Sequence, residues 1–261
     1  MTCLFQEERM QLIVEHLHKH NRISADDIVT LFDVSRDTAR RDLIKLEEQD
    51  AIIRTRGGAI LPPPPQKFRS YKDRLLDVSE EKRAIGKLAA AIVRQGEIII
   101  LDSSTTVQAC AENLNGKSCT VITNSIHSAD LLSNHTAVQI RLLGGKVDKE
   151  QRYVHGTSVI ETLSHYYVDK AFIGIGGITM DGFSASEEEG KIKHQMMKAA
   201  KKVIVLADQS KFDKRYGYRF ADWSLVDVLI TDQWPTQEWL VFLAEQHVEI
   251  LIPEPTDDKE L

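Results

Sequence analysis

Two clusters of residues in this 261-residue sequence have the types and spacing to do chemistry. The first is Ser35-Arg36-Asp37-Thr38-Ala39-Arg40-Arg41. Serine is a preferred helix N-cap, so the run predicts a helix starting after Ser35. Ala39, Leu43 and Leu46 form its apolar stripe, which leaves Arg36, Asp37, Thr38, Arg40 and Arg41 on the other faces. A preceding helix is predicted from the cap Ser24, with Ile28, Leu31 and Phe32 on one face, and Asp33-Val34 gives a tight connection. Two helices so joined form a helix-turn-helix pattern, whose second helix enters the DNA major groove by its N-terminal turn. Arg36, Asp37 and Thr38 are then placed for base edges and Arg40 and Arg41 for phosphates. Ser35 and the helix N-terminus add a phosphate donor. Arg54 and Arg56 fall in a predicted hairpin over 52–60 that turns at Gly57-Gly58, a wing able to lie along the adjacent backbone.

The second cluster is Asp102-Ser103-Ser104-Thr105-Thr106, which follows an apolar run and opens a predicted helix. A small, hydroxyl-rich loop at a helix start suits an anion. Backbone N–H groups point outward, hydroxyls donate, and the helix dipole favours negative charge. Thr123-Asn124-Ser125 and Gly144-Gly145 also follow predicted strands, so three loops can converge on one sheet edge. Lys211, in Asp208-Gln209-Ser210-Lys211-Phe212, follows another strand and can offer a point charge to a phosphate.

The elements that must position these clusters differ between the two parts of the chain. Met10, Ile13 and Leu17 recur at helical spacing and add a first helix to the reader-like segment. Further on, strands are predicted at 97–101, 120–123, 138–143, 171–174, 203–206 and 228–230, with helices at 107–114, 126–132 and 187–200. This alternation predicts an α/β fold with a mostly parallel sheet covered by helices, and such sheets bind ligands at the carboxyl ends of their strands. Between the parts lies Pro62-Pro63-Pro64-Pro65, which can continue neither helix nor ladder and favours extended geometry. The expected organisation is a winged helix-turn-helix domain over 1–61, a Pro-rich linker and connecting helix over 62–80, and an anion-binding α/β domain over 81–255. The polar, acidic end from 253 is expected to fray.

Composition narrows the classes. The hydrophobic share of 42% and charged share of 28% are ordinary for a globular chain. No apolar run is long enough to span a membrane, and residues 1–10 are too polar for a secretory signal. Three cysteines, Cys3, Cys110 and Cys119, fit a reducing cytoplasm and no metal site. The net charge of −6 argues at first against a non-specific nucleic-acid coat. Even 1–61 holds nine basic against eleven acidic groups. DNA binding must therefore depend on where the arginines point, with salt-sensitive, site-selective binding expected.

Several weaker signals are set aside. Residues 111–118 fit a relaxed phosphate-loop pattern, but they end a helix and precede a strand, the reverse of what that loop needs. Gly174-Ile175-Gly176-Gly177 lacks the last glycine of a dinucleotide fingerprint. His16 and His20 share a helix face without a third ligand nearby. No cofactor, metal or nucleophilic set is expected.

The run Val34-Ser35-Arg36-Asp37-Thr38-Ala39-Arg40-Arg41-Asp42-Leu43, followed by Leu46 and by Arg56-Gly57-Gly58-Ala59, resembles the DeoR family of bacterial transcriptional regulators. Asp102–Thr106, Thr123–Ser125, Gly144-Gly145, 169–174 and 208–212 carry the resemblance through most of the chain. Asp50 stands where the family usually has Gly, which bears on the end of the recognition helix. Ser104 also replaces a usual Gly, which predicts a loop less permissive in φ and adds a hydroxyl able to shift ligand preference. The resemblance implies an effector domain similar to ribose-5-phosphate isomerase and a phosphorylated sugar as effector. It places Glu187 and Glu188 on the sugar side of the pocket. The implied partners are operator DNA, that effector, and further copies of the chain as a dimer or tetramer, because one helix-turn-helix covers one half-site. In this reading 68–82, including a short helix, carries change between the domains. The competing readings are a sugar-phosphate isomerase with Glu187 or Glu188 as base, and an architectural DNA-binding protein without effector.

Overall fold

The computed structural model describes residues 5–49, 51–61, 70–76 and 79–254. Cys3, Asp50, Pro62 to Pro65 and the chain from 255 onward lie outside the described residues. The chain divides into two compact units, Met1–Gln66 and Lys67–Leu261.

In the first unit the order is α1 (Gln6–His20), β1 (Arg22–Ser24), α2 (Ala25–Phe32), α3 (Arg36–Glu48), β2 (Ile53–Thr55) and β3 (Gly58–Ile60). Ser24 and Asp27 form a reciprocal capping box at the start of α2, each side chain accepting from the other's backbone N–H. Asp33 ends α2 in the left-handed region at φ 49°, which turns the chain tightly into α3. Ser35 Oγ accepts the Thr38 N–H at 3.1 Å and starts α3. Met10, Ile13, Leu17, Ala39, Leu43 and Leu46 are buried as their spacing predicts. Two features differ from expectation. β1 pairs with β3 and makes the wing three-stranded, in the order β1-β3-β2; three residues are too few to show a strand period. Leu31 is 53% exposed. The apolar face of α2 is rotated so that Ile28, Val29 and Phe32 pack inward.

The second unit starts with α4 (Tyr71–Leu76) and α5 (Glu80–Ala91). β4 (Ile98–Leu101), α6 (Thr105–Glu112), β5 (Cys119–Thr123), α7 (Ile126–Leu132) and β6 (Val138–Leu142) follow. Then come the hairpin strands β7 (Lys146–Asp148) and β8 (Tyr153–His155), α8 (Thr157–Ser164) and β9 (Val168–Gly174). After β10 (Gly177–Thr179) and β11 (Gly182–Ala185) come α9 (Glu187–Lys198), β12 (Ala200–Leu206), β13 (Tyr218–Ala221), β14 (Val228–Ile230), α10 (Gln237–Glu245) and β15 (Glu249–Leu251). Seven strands form one sheet in the order β15-β14-β12-β9-β4-β5-β6, and every pair in it is parallel. The expected mostly parallel α/β fold is therefore present. Two small antiparallel sheets, β10-β11-β13 and β7-β8, are added to it.

The inner strands are mostly buried on both faces, as parallel sheets require, while the edge strands β6 and β15 are partly exposed. Ile99, Leu101 and Phe172 contribute to one core layer with Ile85 and Val107 of the covering helices. Ile100, Ala171 and Ile173 contribute to the other with Ile192 and Met196. The chain runs from β4 outward to β5 and β6, then returns to β9 on the other side of β4. The β4/β9 boundary is thus the topological switch point, and its carboxyl edge is where an open sheet forms a ligand crevice.

Candidate nucleic-acid interface and anion site

The exposed faces of α3 and the wing carry the arginines singled out by the sequence. Arg36, Asp37, Arg40, Arg41, Arg54 and Arg56 are all exposed. Arg36 is held by Asp26 of α2 at 2.8 Å, with both side chains mostly in solvent. Arg54 lies 3.5 Å from Glu47. Such exposed pairs contribute about 0–1 kcal/mol, so a phosphate or base edge can replace them. Among the described residues, Arg40, Arg41 and Arg56 form no ion pair. Ser35 spends its hydroxyl oxygen on the helix cap and shares a 2.9 Å hydrogen bond with Thr38 Oγ1. Beneath this surface Asp42 is fully buried. It accepts from Arg9 Nε at 2.6 Å, Arg9 Nη2 at 3.2 Å and Gln6 Nε2 at 2.9 Å. That contact fixes the rotation of α3 against α1, and so where its arginines point.

In the second unit the switch point is organised by Asp102. Its Oδ1 accepts the Ser104 N–H at 2.8 Å and its Oδ2 accepts the Gly174 N–H at 2.9 Å, tying the ends of β4 and β9 together. Lys193 of α9 reaches the same Oδ2 and also donates to Gly174 O at 2.6 Å and Glu189 Oε1 at 3.0 Å. All three ammonium protons thus have acceptors. Asp102, Glu189 and Lys193 are all buried. Burial pushes the Glu189 carboxyl up, but the charges of Lys193 and Arg74 beside it outweigh this and hold it below its ordinary value. Burial likewise pushes Lys193 down, and Asp102 and Glu189 more than reverse it.

Ser104 caps α6, its Oγ accepting from the Val107 N–H at 3.1 Å. Its φ of −77° is ordinary extended backbone, so the strain expected from replacing glycine there is not found. The accommodation is made across the site instead. A Cβ on Gly174 would stand 1.8 Å from Ser104 Oγ, so Ser104 fits because position 174 has no side chain. Ser103, Thr105 and Thr106 are buried, and their hydroxyls have no hydrogen-bond partner among the described residues.

The remaining predicted residues fall into three places. Thr123, Asn124 and Ser125 are buried at the end of β5. Asn124 Nδ2 donates to Val154 O at 3.1 Å, and Ser125 caps α7. Gly144 and Gly145 follow β6, where Leu143 N–H donates to Thr123 O. A Cβ on Gly145 would meet His155 O at 2.6 Å, which ties that glycine to packing against β8. Lys211 stands at the end of β12, two strands from β4, 3.7 Å from Asp208 Oδ2. Glu187 is turned to solvent and pairs with Lys191 at 2.6 Å, while Glu188 lies 3.4 Å from His155. The α9 residues brought to the switch point are Glu189 and Lys193, which sequence reasoning missed. Asn124 Oδ1, Asp208 Oδ2 and Gln209 Oε1 are buried acceptors with no hydrogen-bond partner among the described residues.

Comparison with known proteins agrees with this division. Residues 9–64 match the family model of a DeoR-like helix-turn-helix domain, and residues 77–233 that of a DeoR C terminal sensor domain. An HTH-type transcriptional repressor, GlcR, of Bacillus subtilis (strain 168) is 54% identical over 258 residues, covering 98% of this chain and 100% of its own length. The glycerol-3-phosphate regulon repressor of Escherichia coli (strain K12) is 29% identical over 248 residues, 94% of this chain and 98% of that protein. Among solved structures, ribose 5-phosphate isomerase A of Methanocaldococcus jannaschii is similar at 20% identity and a TM-score of 0.36, over 50% of this chain and 53% of that one. A winged helix-turn-helix unit followed by a parallel α/β sensor domain defines a DNA-binding transcriptional regulator. The chain belongs to the DeoR family of such regulators.

Proposed function

We propose that this protein is a repressor of a carbohydrate catabolic operon, whose operator binding is controlled by a phosphorylated sugar or a close relative. One observation carries the effector half. At the switch point a donor-rich helix start, Ser103 to Thr106, stands on the same sheet edge as buried acceptors without donors. A phosphate needs the first and sugar hydroxyls satisfy the second. In this reading Asp102, Thr123 to Ser125 and Gly144-Gly145 line the crevice, and Lys211 supplies a point charge to it. An isomerase would need a carboxylate aimed at its substrate, whereas Glu187 and Glu188 are paired at the surface and Glu189 is held by Lys193.

A thermal-shift screen against pentose and hexose phosphates tests the reading. A ligand at a hundred times its Kd raises stability by about 2.7 kcal/mol. Lys211→Ala is expected to keep the unliganded melting temperature and operator affinity while losing the ligand shift and ligand-driven release. Survival of both responses removes Lys211 from the site, and turnover of any sugar phosphate at an enzymatic rate overturns the regulator-only reading.

On the DNA side, Ser35, Arg36, Asp37, Thr38, Arg40, Arg41, Arg54 and Arg56 form the proposed operator surface of a homo-oligomer with paired half-sites. Arg41→Ala is expected to weaken operator binding and flatten its log–log salt slope by about 0.9 per lost phosphate contact. A weaker complex with an unchanged slope would show that Arg41 does not neutralise a phosphate.

A further inference from the structure

An ion pair at the surface joins the two helices of the helix-turn-helix at their first turns. Asp26 lies in the first turn of α2, and Arg36 is the first residue of α3. One carboxylate oxygen, Asp26 Oδ1, accepts from Arg36 Nε at 3.0 Å and from Arg36 Nη2 at 2.8 Å. The Asp26 side chain is 68% exposed and that of Arg36 77%, and a pair so exposed adds little to stability. Nor does α2 need Asp26 for its cap, which Ser24 and Asp27 make between them. A carboxylate beside the recognition helix also repels DNA phosphates, which costs binding unless Asp26 acts through its partner. What the pair does fix is the Arg36 side chain.

A guanidinium carries five N–H groups in a rigid plane, one on Nε and two on each terminal nitrogen. Asp26 takes the side edge, with the Nε proton and the nearer proton of Nη2. The end edge is left open, with one proton of Nη1 and the farther proton of Nη2 side by side. Nη1 has no hydrogen-bond partner among the described residues. Two parallel donors so placed match O6 and N7 of guanine on its major-groove edge. The neighbouring side chains do not compete for this role. Ser35 Oγ is committed to the Thr38 N–H and to Thr38 Oγ1, which occupies both hydroxyls with each other. The Asp37 carboxylate offers only acceptors. Arg36 is thus the first-turn side chain of α3 with a free pair of donors, at the end of the helix that reaches base edges. Fixing a long side chain on DNA costs rotamer freedom, and the Asp26 contact removes part of that freedom before binding.

We propose that Asp26 is a positioning residue for operator readout, aiming Arg36 so that its guanidinium end donates to O6 and N7 of a guanine in the major groove. The proposal rests on the operator surface given above, and adds the base that Arg36 reads and the residue that aims it. A phosphate at Arg36 competes with Asp26 for the same charge. A guanine leaves Asp26 in place, because base and carboxylate take different edges of the fork. The two kinds of contact therefore respond in opposite senses to the loss of Asp26.

The test uses the full chain as wild type, Arg36→Ala, Asp26→Ala and Asp26→Glu. The probes are the duplex that the wild type enriches from a randomised pool, the same duplex with each G·C pair replaced in turn by A·T or its guanine by 7-deazaguanine, and a scrambled duplex. 7-Deazaguanine pairs normally but lacks the N7 acceptor. One guanine is expected at which A·T weakens wild-type binding about tenfold or more, and 7-deazaguanine by a smaller factor. Arg36→Ala feels neither change. Asp26→Ala has lost a negative charge, so it binds the scrambled duplex at least as tightly as the wild type, and yet it loses most of the discrimination at that guanine. Asp26→Glu keeps a carboxylate and retains part of it. The melting temperatures of all four proteins agree, because both side chains stand largely in solvent. Tighter binding of every duplex by Asp26→Ala, with the guanine preference intact, makes Asp26 a repelling charge only and overturns the proposal. So does a guanine preference that survives in Arg36→Ala at every position. Enrichment of no duplex by the wild type overturns the operator surface itself, and this readout with it.

Discussion

Lys193→Met is expected to destabilise the sensor unit by about 3–5 kcal/mol, the usual cost of removing one partner from a buried ionic set. Methionine matches the lysine stem in length on the buried side of α9 that also carries Ile192 and Met196, so the loss is not one of volume. The substitution leaves Asp102 and Glu189 buried without the ammonium that each now holds. The sign of the pH dependence separates this from a packing defect. In the wild type the raised Lys193 pKa contributes stability that is full below the ordinary lysine value and is lost only as pH rises through the folded value. The lowered Glu189 pKa contributes stability present above its ordinary value of 4.5 and lost as pH falls through the folded value. Both contributions are complete between pH 5 and 8. In the variant Glu189 keeps its burial and loses its principal cation, so its folded pKa rises above the unfolded value. Folding then takes up a proton, and stability improves as pH falls. Urea unfolding should therefore show a deficit largest near pH 8 and clearly smaller near pH 5. A deficit independent of pH would mean that the cost comes from packing alone. Because Asp102 also holds the Ser104 N–H, ligand shifts should shrink in the variant even at pH values where it is fully folded.

The contrast between what the sequence revealed around Lys193 and what it hid is physical. Loop positions were legible because strand, small-residue turn and capping serine follow one another in order. Ser24, Ser35, Ser104 and Ser125 all accept the backbone hydrogen bond expected of a cap. The strand Val228–Ile230 and the helix Ile126–Leu132 begin and end where their apolar runs do. Charged residues inside helices were not legible in this way. The run Glu187-Glu188-Glu189-Gly190-Lys191-Ile192-Lys193 has the composition of a solvated face, and the first glutamates attracted attention by their place at the helix start. Only the phase of the helix distinguishes them. Glu189 and Lys193 share the inward side with Gly190, Ile192, Met196 and Met197, while Glu187 and Lys191 share the outward one. The same stripe logic picks out Asp42, one turn from Ala39 and beside Leu43 and Leu46. Arg74 gave no local signal of its bond to Gln151, since that partner lies in the distant β7–β8 turn. The short antiparallel strands were also missed, because three or four residues cannot establish a two-residue period.

Asp42→Ala is the corresponding prediction for the DNA-reading unit. Asp42 accepts three side-chain hydrogen bonds from α1, two of them from Arg9, which is itself buried. Alanine removes all three acceptors and opens a small polar void between α1 and α3, at an expected cost of about 3–5 kcal/mol. A unit of this size has little reserve, since a single core below about 70–80 residues rarely supplies more than about 3–5 kcal/mol. The loss is thus of the same order as the whole stability of the unit. Hydrogen exchange over Gln6–Glu48 should collapse toward the unfolded rate while the sheet strands of the sensor keep their protection. Operator binding should disappear without any change in ligand-induced stabilisation of the sensor. Asp42→Asn keeps the shape and one acceptor, so it should retain a folded but weakened unit. The functional consequence follows from rotation rather than from charge at the surface. Arg36, Arg40 and Arg41 can face one groove together only while α3 is held in one orientation, and Asp42 is the polar contact that holds it. Full protection of α3 in Asp42→Ala would assign that orientation to Ala39, Leu43 and Leu46 alone, with Arg9–Asp42 adding nothing to the placement of the arginines.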